Sequence, residues 1–216
     1  MKKIILFPFG GNAKEAVTVI EAINQKMKTW EVLGFIDDNP DLLGEKSSGY
    51  EVIGGREKLS EYPKVKVLAV PGRPENYLKR EKIIDSLGVS PERFATLIHP
   101  SASISSSTKI GYNTLIMAGV VVTINVSIGN HCVILPNSVI SHDVTIDDYS
   151  MIGSNVSISG SVHVEKLCYL GTGSKIIQEV TVSHGSLIGL GTVVFKSIGP
   201  NSLVIGNPGR AIRKVK

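Results

Sequence analysis

One short stretch of this chain places an imidazole directly beside a carboxylate. His142 is followed by Asp143 within the segment Val139 to Val144. A histidine can take a proton from a reacting group near neutral pH, and a neighbouring carboxylate can orient the ring and stabilise its cationic form. The remaining histidines lack an acidic neighbour in sequence and are interpreted as ordinary surface or junction residues: His99, His131, His163 and His184. His142 and Asp143 are therefore the candidate base and its orienting partner.

A second group of polar residues lies near the N-terminus. Gly10, Gly11 and Asn12 follow an apolar run, and Asp37 and Asp38 end the next apolar run. A glycine turn that opens a helix presents backbone N–H groups to an anion, and an acidic residue after the next strand can bind a ribose or sugar hydroxyl. A Gly-Gly pair is less than the full dinucleotide fingerprint, however, and Asp before Asn-Pro is also common turn chemistry. By themselves these residues leave both interpretations open.

The segments around this group predict a small α/β domain. Apolar runs predict strands over residues 2–8, 31–36 and 64–70, a short edge strand over 50–53 and a last strand over 94–98. Apolar residues at helical spacing predict helices over 13–28 and 75–87. Strand, glycine turn, helix and strand in this order indicate a Rossmann-like βαβ unit with a parallel sheet. We assign it to residues 1–97.

The rest of the chain follows a period of six residues. Every sixth residue from Ile98 to Val194 is Ile, Leu or Val, which gives seventeen consecutive positions, and the residue two places earlier is always small or β-branched. Neither an α-helix nor a β-strand alternation has this period. Such a repeat is typical of a parallel β-helix in which each unit forms one short strand and a corner. Corner glycines and asparagines suit positions with positive φ.

The repeat resembles that of the hexapeptide-repeat acyltransferases. The pattern of an aliphatic residue followed by glycine occurs at Ile110-Gly111, Ile128-Gly129, Ile152-Gly153, Leu170-Gly171 and Ile188-Gly189. The resemblance implies an all-β left-handed parallel β-helix, with three strands per coil, over residues 98–216 with a C-terminal cap. It also implies a homotrimer, because members of the family assemble three β-helices around their active sites.

The order of the two domains resembles one subfamily, which contains the sialic acid O-acetyltransferases and the bacillosamine and perosamine N-acetyltransferases. The resemblance implies that acetyl-CoA is the cosubstrate, that Gly10, Gly11, Asn12, Asp37 and Asp38 bind a nucleotide-sugar, and that His142 with Asp143 forms the catalytic pair. The chain departs from the family in having Asn12 where a histidine is usual. Asparagine can still donate and accept hydrogen bonds, but the identity of the sugar is left open.

With eighteen residues per coil, residues eighteen positions apart in the sequence lie next to each other in successive coils. Gly160 lies one coil above His142 and Ile124 one coil below, so Gly160 leaves space beside the base and exposes an amide that, by resemblance, lies near the thioester carbonyl. The coenzyme is expected along a row of glycines at spacings of eighteen, Gly153, Gly171 and Gly189. The tail segment from Ile205 resembles the closing motif of the family, which implies that Asn207 and Arg210 lie near the adenine end of the coenzyme.

Composition excludes several other classes. The formal net charge is only +4, and four bases crowd the last seven residues, Arg210, Arg213, Lys214 and Lys216, without the interleaved aromatic residues of a nucleic-acid-binding surface. No apolar stretch is long enough for a membrane span, and the apolar start lacks a signal-peptide cleavage site. The two cysteines, Cys132 and Cys168, occupy inward positions of the repeat and suit buried thiols of a cytoplasmic protein rather than a disulfide or metal site.

The sequence therefore predicts an acetyl-CoA-dependent N-acetyltransferase that acts on the amino group of a nucleotide-linked, 4-amino-4,6-dideoxy type sugar in surface-glycan or glycoprotein sugar biosynthesis. Transfer is expected to be direct, without a metal. An O-acetyltransferase of a sugar hydroxyl, as on sialic acid, needs the same base and stays an alternative. A β-helix scaffold is the non-enzyme alternative. A zinc anhydrase is disfavoured because His142, His163 and His184 are 21 residues apart and do not stack.

Overall fold

The computed structural model describes residues 1–215, and Lys216 of the basic tail lies outside the described residues. Its N-terminal part is a small α/β domain. Its parallel sheet has the order β2-β1-β5, with β1 at Lys2–Phe7, β2 at Trp30–Phe35 and β5 at Lys66–Ala69. Helix α1, Gly11–Lys26, follows β1 directly. The Rossmann-like βαβ unit that the sequence predicts is therefore confirmed.

The smaller elements differ in length from the prediction. A hairpin pairs β3, Lys46–Ser47, with β4, Tyr50–Glu51, and a short helix α2 spans Lys58–Glu61. The helix predicted over 75–87 is only a 3₁₀ turn at Tyr77–Lys79 and helix α3 at Arg80–Asp85. Further 3₁₀ turns span Pro40–Leu42 and Pro91–Arg93. The strand predicted over 94–98 is reduced to Leu97–Ile98, which pairs with the β-helix rather than with the N-terminal sheet.

The repeat folds into a left-handed parallel β-helix with three faces, as predicted. Face 1 consists of eight described strands: Leu97–Ile98, Leu115–Ile116, Val133–Ile134, Met151–Ile152, Tyr169–Leu170, Leu187–Ile188, Ser202–Ile205 and Arg210–Lys214. Face 2 consists of Ser103–Ile104, Val121–Val122, Val139–Ile140, Ser157–Ile158, Lys175–Ile176 and Val193–Val194. Face 3 consists of Lys109–Ile110, Ser127–Ile128, Thr145–Ile146, His163–Val164 and Thr181–Val182.

The stacking register of these faces is eighteen residues throughout the regular coils. Val139 pairs with Ser157, Thr145 with His163, and so on for each pair of strands within a face. The aliphatic residue of each unit points inward, and these side chains form one continuous core from Ile116 to Val204. Both cysteines, Cys132 and Cys168, are buried free thiols in this core, as predicted.

The corners of the β-helix divide into two kinds of position. From Ile110 to Ile188, the backbone is left-handed three residues after each inward aliphatic residue, and asparagines occupy several of these positions, as expected: Asn113, Asn125, Asn137 and Asn155. The motif glycines are different, and the expectation of a positive φ is wrong for them. A Cβ at Gly153 would lie 2.6 Å from the backbone nitrogen of Thr172, and one at Gly171 would lie 2.7 Å from the oxygen of Ile188. Glycine is needed there because successive coils stack too closely for a side chain.

The N-terminal domain packs on face 1. Ala13, Val17 and Ile20 of helix α1 belong to the same buried cluster as Leu115 and Val133 of face 1. Because face 1 is covered in this way, faces 2 and 3 are the ones that stay open on a single chain. We refer to the corner between faces 3 and 1, which carries Asn113, His131 and Tyr149, as the docking edge.

Arg80 joins the N-terminal domain to the docking edge. Its guanidinium is completely buried, and it donates to the backbone oxygens of Pro71, His131 and Tyr149, the last at 3.0 Å. Three carbonyl oxygens from two domains therefore share one cation. The burial lowers the pKa of the Arg80 guanidinium, which still leaves it charged at neutral pH.

The interpretation of His131 as a solvated surface residue is wrong, because its side chain is only 3% exposed. The ring stacks on Tyr149 with centroids 4.6 Å apart, and its Nδ1 lies 2.8 Å from Nδ2 of Asn113. Burial, and then the charge of Arg80, lower the pKa of His131 to about 4. The N-terminal domain covers this corner, and the six-residue period carries no information about what covers a corner.

Replacement of Arg80 should test how strongly the two domains depend on this cation. We expect Arg80→Met to lower the free energy of unfolding by on the order of 3 kcal/mol, because several buried carbonyl oxygens lose their donor at about 1–3 kcal/mol each. Denaturant unfolding would measure the loss. Arg93→Met is the matched control, since Arg93 also donates to backbone oxygens, of Leu59, Tyr62 and Val65, but is partly open to water. Equal losses for the two variants would contradict the role of Arg80.

Candidate active site

The predicted base lies on the corner between faces 2 and 3, which we call the base edge. His142 and Asp143 follow the strand Val139–Ile140 of face 2 and precede Thr145–Ile146 of face 3. The left-handed backbone at Asp143, with φ of 59°, turns its side chain back toward the ring. Nδ1 of His142 lies 2.8 Å from Oδ2 of Asp143. Both side chains are more than half exposed, so the pair is open to a substrate.

The protonation of this pair follows from its hydrogen bonds. The hydrogen bond from His142, and then one from Asn125, hold the pKa of the Asp143 carboxyl below its ordinary value. An ionised carboxylate only accepts hydrogen bonds, so the neutral imidazole carries its proton on Nδ1. The lone pair is then on Nε2, which is the arrangement that a general base requires.

Gly160 lies one coil above the base, as the eighteen-residue register predicts. A Cβ at this position would lie 2.4 Å from Nε2 of His142 and 2.3 Å from Cε1. The imidazole itself therefore occupies the space that the missing side chain leaves, and Gly160 is buried against the ring. The expectation that Gly160 leaves space beside the base is wrong in this respect. Ile124, one coil below, is 55% exposed and gives the base an apolar neighbour on its other side.

The predicted row of glycines lies on a different corner, between faces 1 and 2, which we call the glycine edge. Gly153, Gly171 and Gly189 align there one above the other. Their amides donate to the carbonyl oxygens of the next coil at 2.7–2.8 Å, so they are used inside the β-helix. The row forms a strip without side chains, bordered at its upper end by the exposed Leu190.

The C-terminal segment adds cations near the upper end of the β-helix. Arg210 lines a cavity of about 260 Å³ together with Lys196 and the backbone of Gly199 and Gly209. Two basic side chains around one cavity favour an anion such as a phosphate. Asn207 lies outside this cavity lining, in the turn between the last two strands.

The N-terminal domain carries a separate cavity of about 380 Å³ at the carboxyl ends of β1, β2 and β5. Four of the predicted substrate-binding residues line it, Gly10, Gly11, Asn12 and Asp37, and the remaining lining residues are Pro8, Phe9, Gly72, Arg73 and Asn76. Ligands of open α/β sheets bind at this end of the strands. The cavity has the position of a nucleotide site.

Two of these residues hold the cavity loops together. Oδ2 of Asp37 accepts from the backbone N–H of Phe9 at 2.9 Å, which ties the loop after β2 to the loop after β1. Nδ2 of Asn12 donates to the oxygens of Val70 and Gly72 at 3.2 Å, which ties helix α1 to the loop after β5. Because both amide hydrogens of Asn12 are used, its Oδ1 is available as an acceptor.

The structure does not bring Asp38 into this cavity. Its carboxylate forms two hydrogen bonds with the guanidinium of Arg56, one of them 2.9 Å long between Nε and Oδ1. The hydrogen bond from Arg56 lowers the pKa of the Asp38 carboxyl. Of the two adjacent acids, Asp37 is the one that faces the cavity, and nothing in the local sequence distinguishes them.

The start of helix α1 favours an anion in the same cavity. Gly10 is the N-cap residue without a side-chain cap, and the first turn contains no acidic residue. The first backbone N–H groups of a helix and its dipole attract negative charge. The exposed Arg73 adds a positive charge to the lining.

The residues that the structure describes contain no group of three His, Cys, Asp or Glu side chains placed to hold a metal ion. The same residues include no helix that is both long and apolar enough to cross a membrane. His163 and His184 lie near single acidic partners, Asp147 at 2.9 Å and Glu165 at 3.6 Å. They therefore belong to surface ion pairs on the β-helix rather than to the base edge.

Two family models match the chain. The model described as the GMPPB C-terminal domain matches residues 94–204, just over half of the chain, and the model described as the PglD N-terminal domain matches residues 3–87. No curated protein sequence matches at a significant level.

Several solved structures resemble the whole chain, among them those of three different proteins. PerB from Caulobacter crescentus, in complex with CoA and GDP-perosamine, is 25% identical with a TM-score of 0.84, over 98% of this chain and 97% of that chain. The acetyltransferase domain of PglB from Neisseria gonorrhoeae FA1090, in complex with acetyl coenzyme A, is 26% identical with a TM-score of 0.83, over 98% and 99%. WeeI from Acinetobacter baumannii AYE is 25% identical with a TM-score of 0.80, over 98% and 100%.

These likenesses extend over both domains in the same order, and they agree with the motifs on which the sequence prediction rests. The chain therefore belongs to the family described as the GMPPB C-terminal domain, and its PglD N-terminal domain places it with the hexapeptide-repeat sugar acetyltransferases of the perosamine and bacillosamine type.

Proposed function

We propose that this protein is an acetyl-CoA-dependent N-acetyltransferase that acts on the amino group of a nucleotide-linked sugar of the 4-amino-4,6-dideoxy type. The observation that carries the proposal is the exposed His142–Asp143 pair on a β-helix joined to a domain with a nucleotide-type cavity. The resemblance to PerB with CoA and GDP-perosamine, and to PglB with acetyl coenzyme A, supports both substrates.

The chemistry assigned to the base edge is a direct transfer. Nε2 of His142 takes a proton from the sugar amine as that amine attacks the thioester carbonyl of acetyl-CoA, and the thiolate of CoA leaves. The carboxylate of Asp143, 2.8 Å from Nδ1, stabilises the imidazolium that forms. No covalent enzyme intermediate is needed, because base and carboxylate serve only to move one proton.

The coenzyme is assigned to the glycine edge and to the basic cavity at the upper end of the β-helix. The strip formed by Gly153, Gly171 and Gly189 has no side chains to obstruct an extended pantetheine arm. Arg210 and Lys196 supply the positive charge that the coenzyme phosphates require. Asn207 lies in the turn at the adenine end of this proposed path. Gly160, against the base on another corner, is assigned to the thioester end, which a neighbouring subunit would bring to the glycine edge.

The nucleotide-sugar is assigned to the cavity of the N-terminal domain. Its diphosphate would lie against the amides of Gly11 and Asn12 at the start of helix α1, near Arg73. Asp37 and Oδ1 of Asn12 are acceptors for hydroxyl or base N–H groups of the ligand. The carboxylate of Asp38, which is paired with Arg56, contributes to the loop rather than to the ligand.

A homotrimer is part of the proposal, because within one chain the nucleotide-sugar cavity and the base lie far apart. The N-terminal domain covers face 1, whereas the base edge is the corner between faces 2 and 3, on the opposite side of the triangular cross-section. The nucleotide cavity of one subunit is therefore expected to meet the base edge of a neighbour. Exposed apolar side chains on face 2 and on the base edge favour such packing: Val121, Val139 and Ile124. We place the trimer in the cytoplasm, where free thiols persist.

His142→Ala should abolish most of the turnover while leaving the fold intact, because the side chain is exposed. We expect a loss of on the order of 10²–10⁴-fold in kcat, the usual contribution of a general base. The assay is release of free thiol from acetyl-CoA against UDP-, dTDP- and GDP-linked 4-amino sugars. The same sugars with a 4-hydroxyl group form the control for O-acetylation. A turnover within a few-fold of the parent on the best acceptor would remove His142 as the base.

Asp37→Ala should weaken the binding of the nucleotide-sugar but not that of acetyl-CoA. Removal of the carboxylate leaves a ligand donor unpaired at a cost of about 1–3 kcal/mol, so the KM for the nucleotide-sugar should rise about ten-fold or more. The KM for acetyl-CoA should hardly change. Asp38→Ala is the matched control, because its carboxylate is held by Arg56 outside the cavity, and its effect should be smaller. A larger effect of Asp38→Ala, or a change in the coenzyme KM, would contradict the assignment.

A mixed assembly tests whether each site is shared between subunits. The assay is run at a nucleotide-sugar concentration below the parent KM, where Asp37→Ala chains keep about a tenth of the parent activity or less and His142→Ala chains almost none. When the two are unfolded and reassembled together in equal amounts, activity should rise to about one quarter of the parent value, because random trimers place an intact cavity beside an intact base in that fraction of sites. Light scattering establishes the trimer in the same samples. Absence of recovery in confirmed mixed trimers would mean that cavity and base belong to one chain.

A further inference from the structure

Asn125 lies one coil below Asp143 on the base edge and touches its carboxylate. Both residues occupy the left-handed corner position, with φ of 57° and 59°, so their side chains leave the β-helix in the same direction. Nδ2 of Asn125 lies 3.3 Å from Oδ1 of Asp143, while Oδ2 of Asp143 faces Nδ1 of His142 at 2.8 Å. Each carboxylate oxygen therefore has its own donor.

Asn125 is itself fixed by the coil beneath. Its backbone N–H donates to Oγ of Ser107 at 3.0 Å, and Ser107 lies eighteen residues earlier on the same edge. The contacts form one continuous series from Ser107 through Asn125 and Asp143 to His142. The series crosses three coils and ends on the base.

This arrangement solves a problem that the exposure of the base creates. The Asp143 side chain is 51% exposed, and the terminal torsion of an aspartate is broad, so contact with His142 alone leaves the carboxylate free to turn. A second donor on the far oxygen restricts that rotation. The orientation of the ring and the location of its proton on Nδ1 depend on the carboxylate in turn.

We propose that Asn125 is a positioning residue of the transfer reaction, which holds Asp143 so that the neutral His142 ring keeps its proton on Nδ1 and presents Nε2 to the acceptor. The role rests on the proposed function of His142 as the base. Asn125 acts through Asp143 and is not expected to touch either substrate.

Backbone conformation alone does not account for asparagine at this position. The equivalent left-handed corners elsewhere carry His131, Tyr149, Ser161, Leu167 and Glu179. The corner therefore accepts many side chains, including bulky and charged ones. What distinguishes Asn125 is that its amide is the donor that Asp143 uses.

The chain offers a matched pair that is remote from the base. On the docking edge, Nδ2 of Asn130 lies 3.3 Å from Oδ2 of Asp148, again eighteen residues later. Neither residue touches His142, so Asn130→Asp reproduces the loss of a donor and the added charge without disturbing the catalytic pair.

The test uses Asn125→Asp, which keeps the shape of the side chain and tolerates a left-handed backbone but cannot donate to a carboxylate. We expect kcat to fall about 10-fold or more, as for removal of other supporting partners, while both KM values change less than about two-fold. ¹⁵N NMR of histidine-labelled protein, at a pH where the ring is neutral, should show a reduced share of the Nδ1–H form of His142. Asn130→Asp should leave kcat and this spectrum unchanged.

Asn125→Ala provides a second variant that removes the donor without adding charge, and it serves if Asn125→Asp fails to assemble. Parent-like kcat and tautomer in the Asn125 variants, with His142→Ala inactive, would overturn the inference and leave the proposed function standing. If His142→Ala retains turnover, the proposed function fails, and the NMR measurement still decides whether Asn125 controls the ring. Equal losses in the Asn125 and Asn130 variants would show a structural effect and would also overturn the inference.

Discussion

The close stacking of coils governs the structure of the C-terminal domain, which makes up just over half of this protein. Paired strands lie about 4.8 Å apart, and with a repeat of eighteen residues each side chain has its neighbours eighteen positions away. At Gly153 and Gly171 on the glycine edge, the next coil approaches so closely that a Cβ would meet its backbone atoms. At the base edge this spacing brings the amide of Asn125 and the carboxylate of Asp143 together. The same spacing therefore produces a smooth strip on one corner and a hydrogen-bonded series on another.

The N-terminal domain depends on the β-helix through a buried cation. The buried guanidinium of Arg80 donates to three carbonyl oxygens in place of water, and two of these oxygens belong to the docking edge. Its third contact, the oxygen of Pro71, belongs to the loop whose next residue, Gly72, lines the nucleotide cavity and accepts from Asn12. One of the loops that line the cavity is therefore tied to the β-helix through Arg80. Buried His131 adds to this connection because its ring fills the corner against Tyr149.

Much of this architecture could be predicted from the sequence because the period of six is uninterrupted. The period fixes which residues face inward and, with eighteen residues per coil, that Gly160 lies against His142. The glycine row was predicted for the same reason. The period does not indicate what covers a face, so the burial of His131 beneath the N-terminal domain was missed. The same count places the glycine row and His142 on different corners, because Gly153 is eleven residues from His142 rather than a multiple of eighteen.

Local chemistry explains the remaining difference, at Asp37 and Asp38. Adjacent residues at the end of a strand point to opposite sides, so only one of two neighbouring acids can face a cavity. Asp37 does so and also binds the N–H of Phe9, while Asp38 turns to Arg56. Which of the two acids faces the cavity depends on where β2 ends and on the position of Arg56. Arg56 follows Asp38 by eighteen residues and lies in a loop whose sequence has no periodic pattern. A regular repeat thus determines the base edge from spacing alone, whereas the cavity is built by three loops whose side-chain directions only the tertiary structure decides.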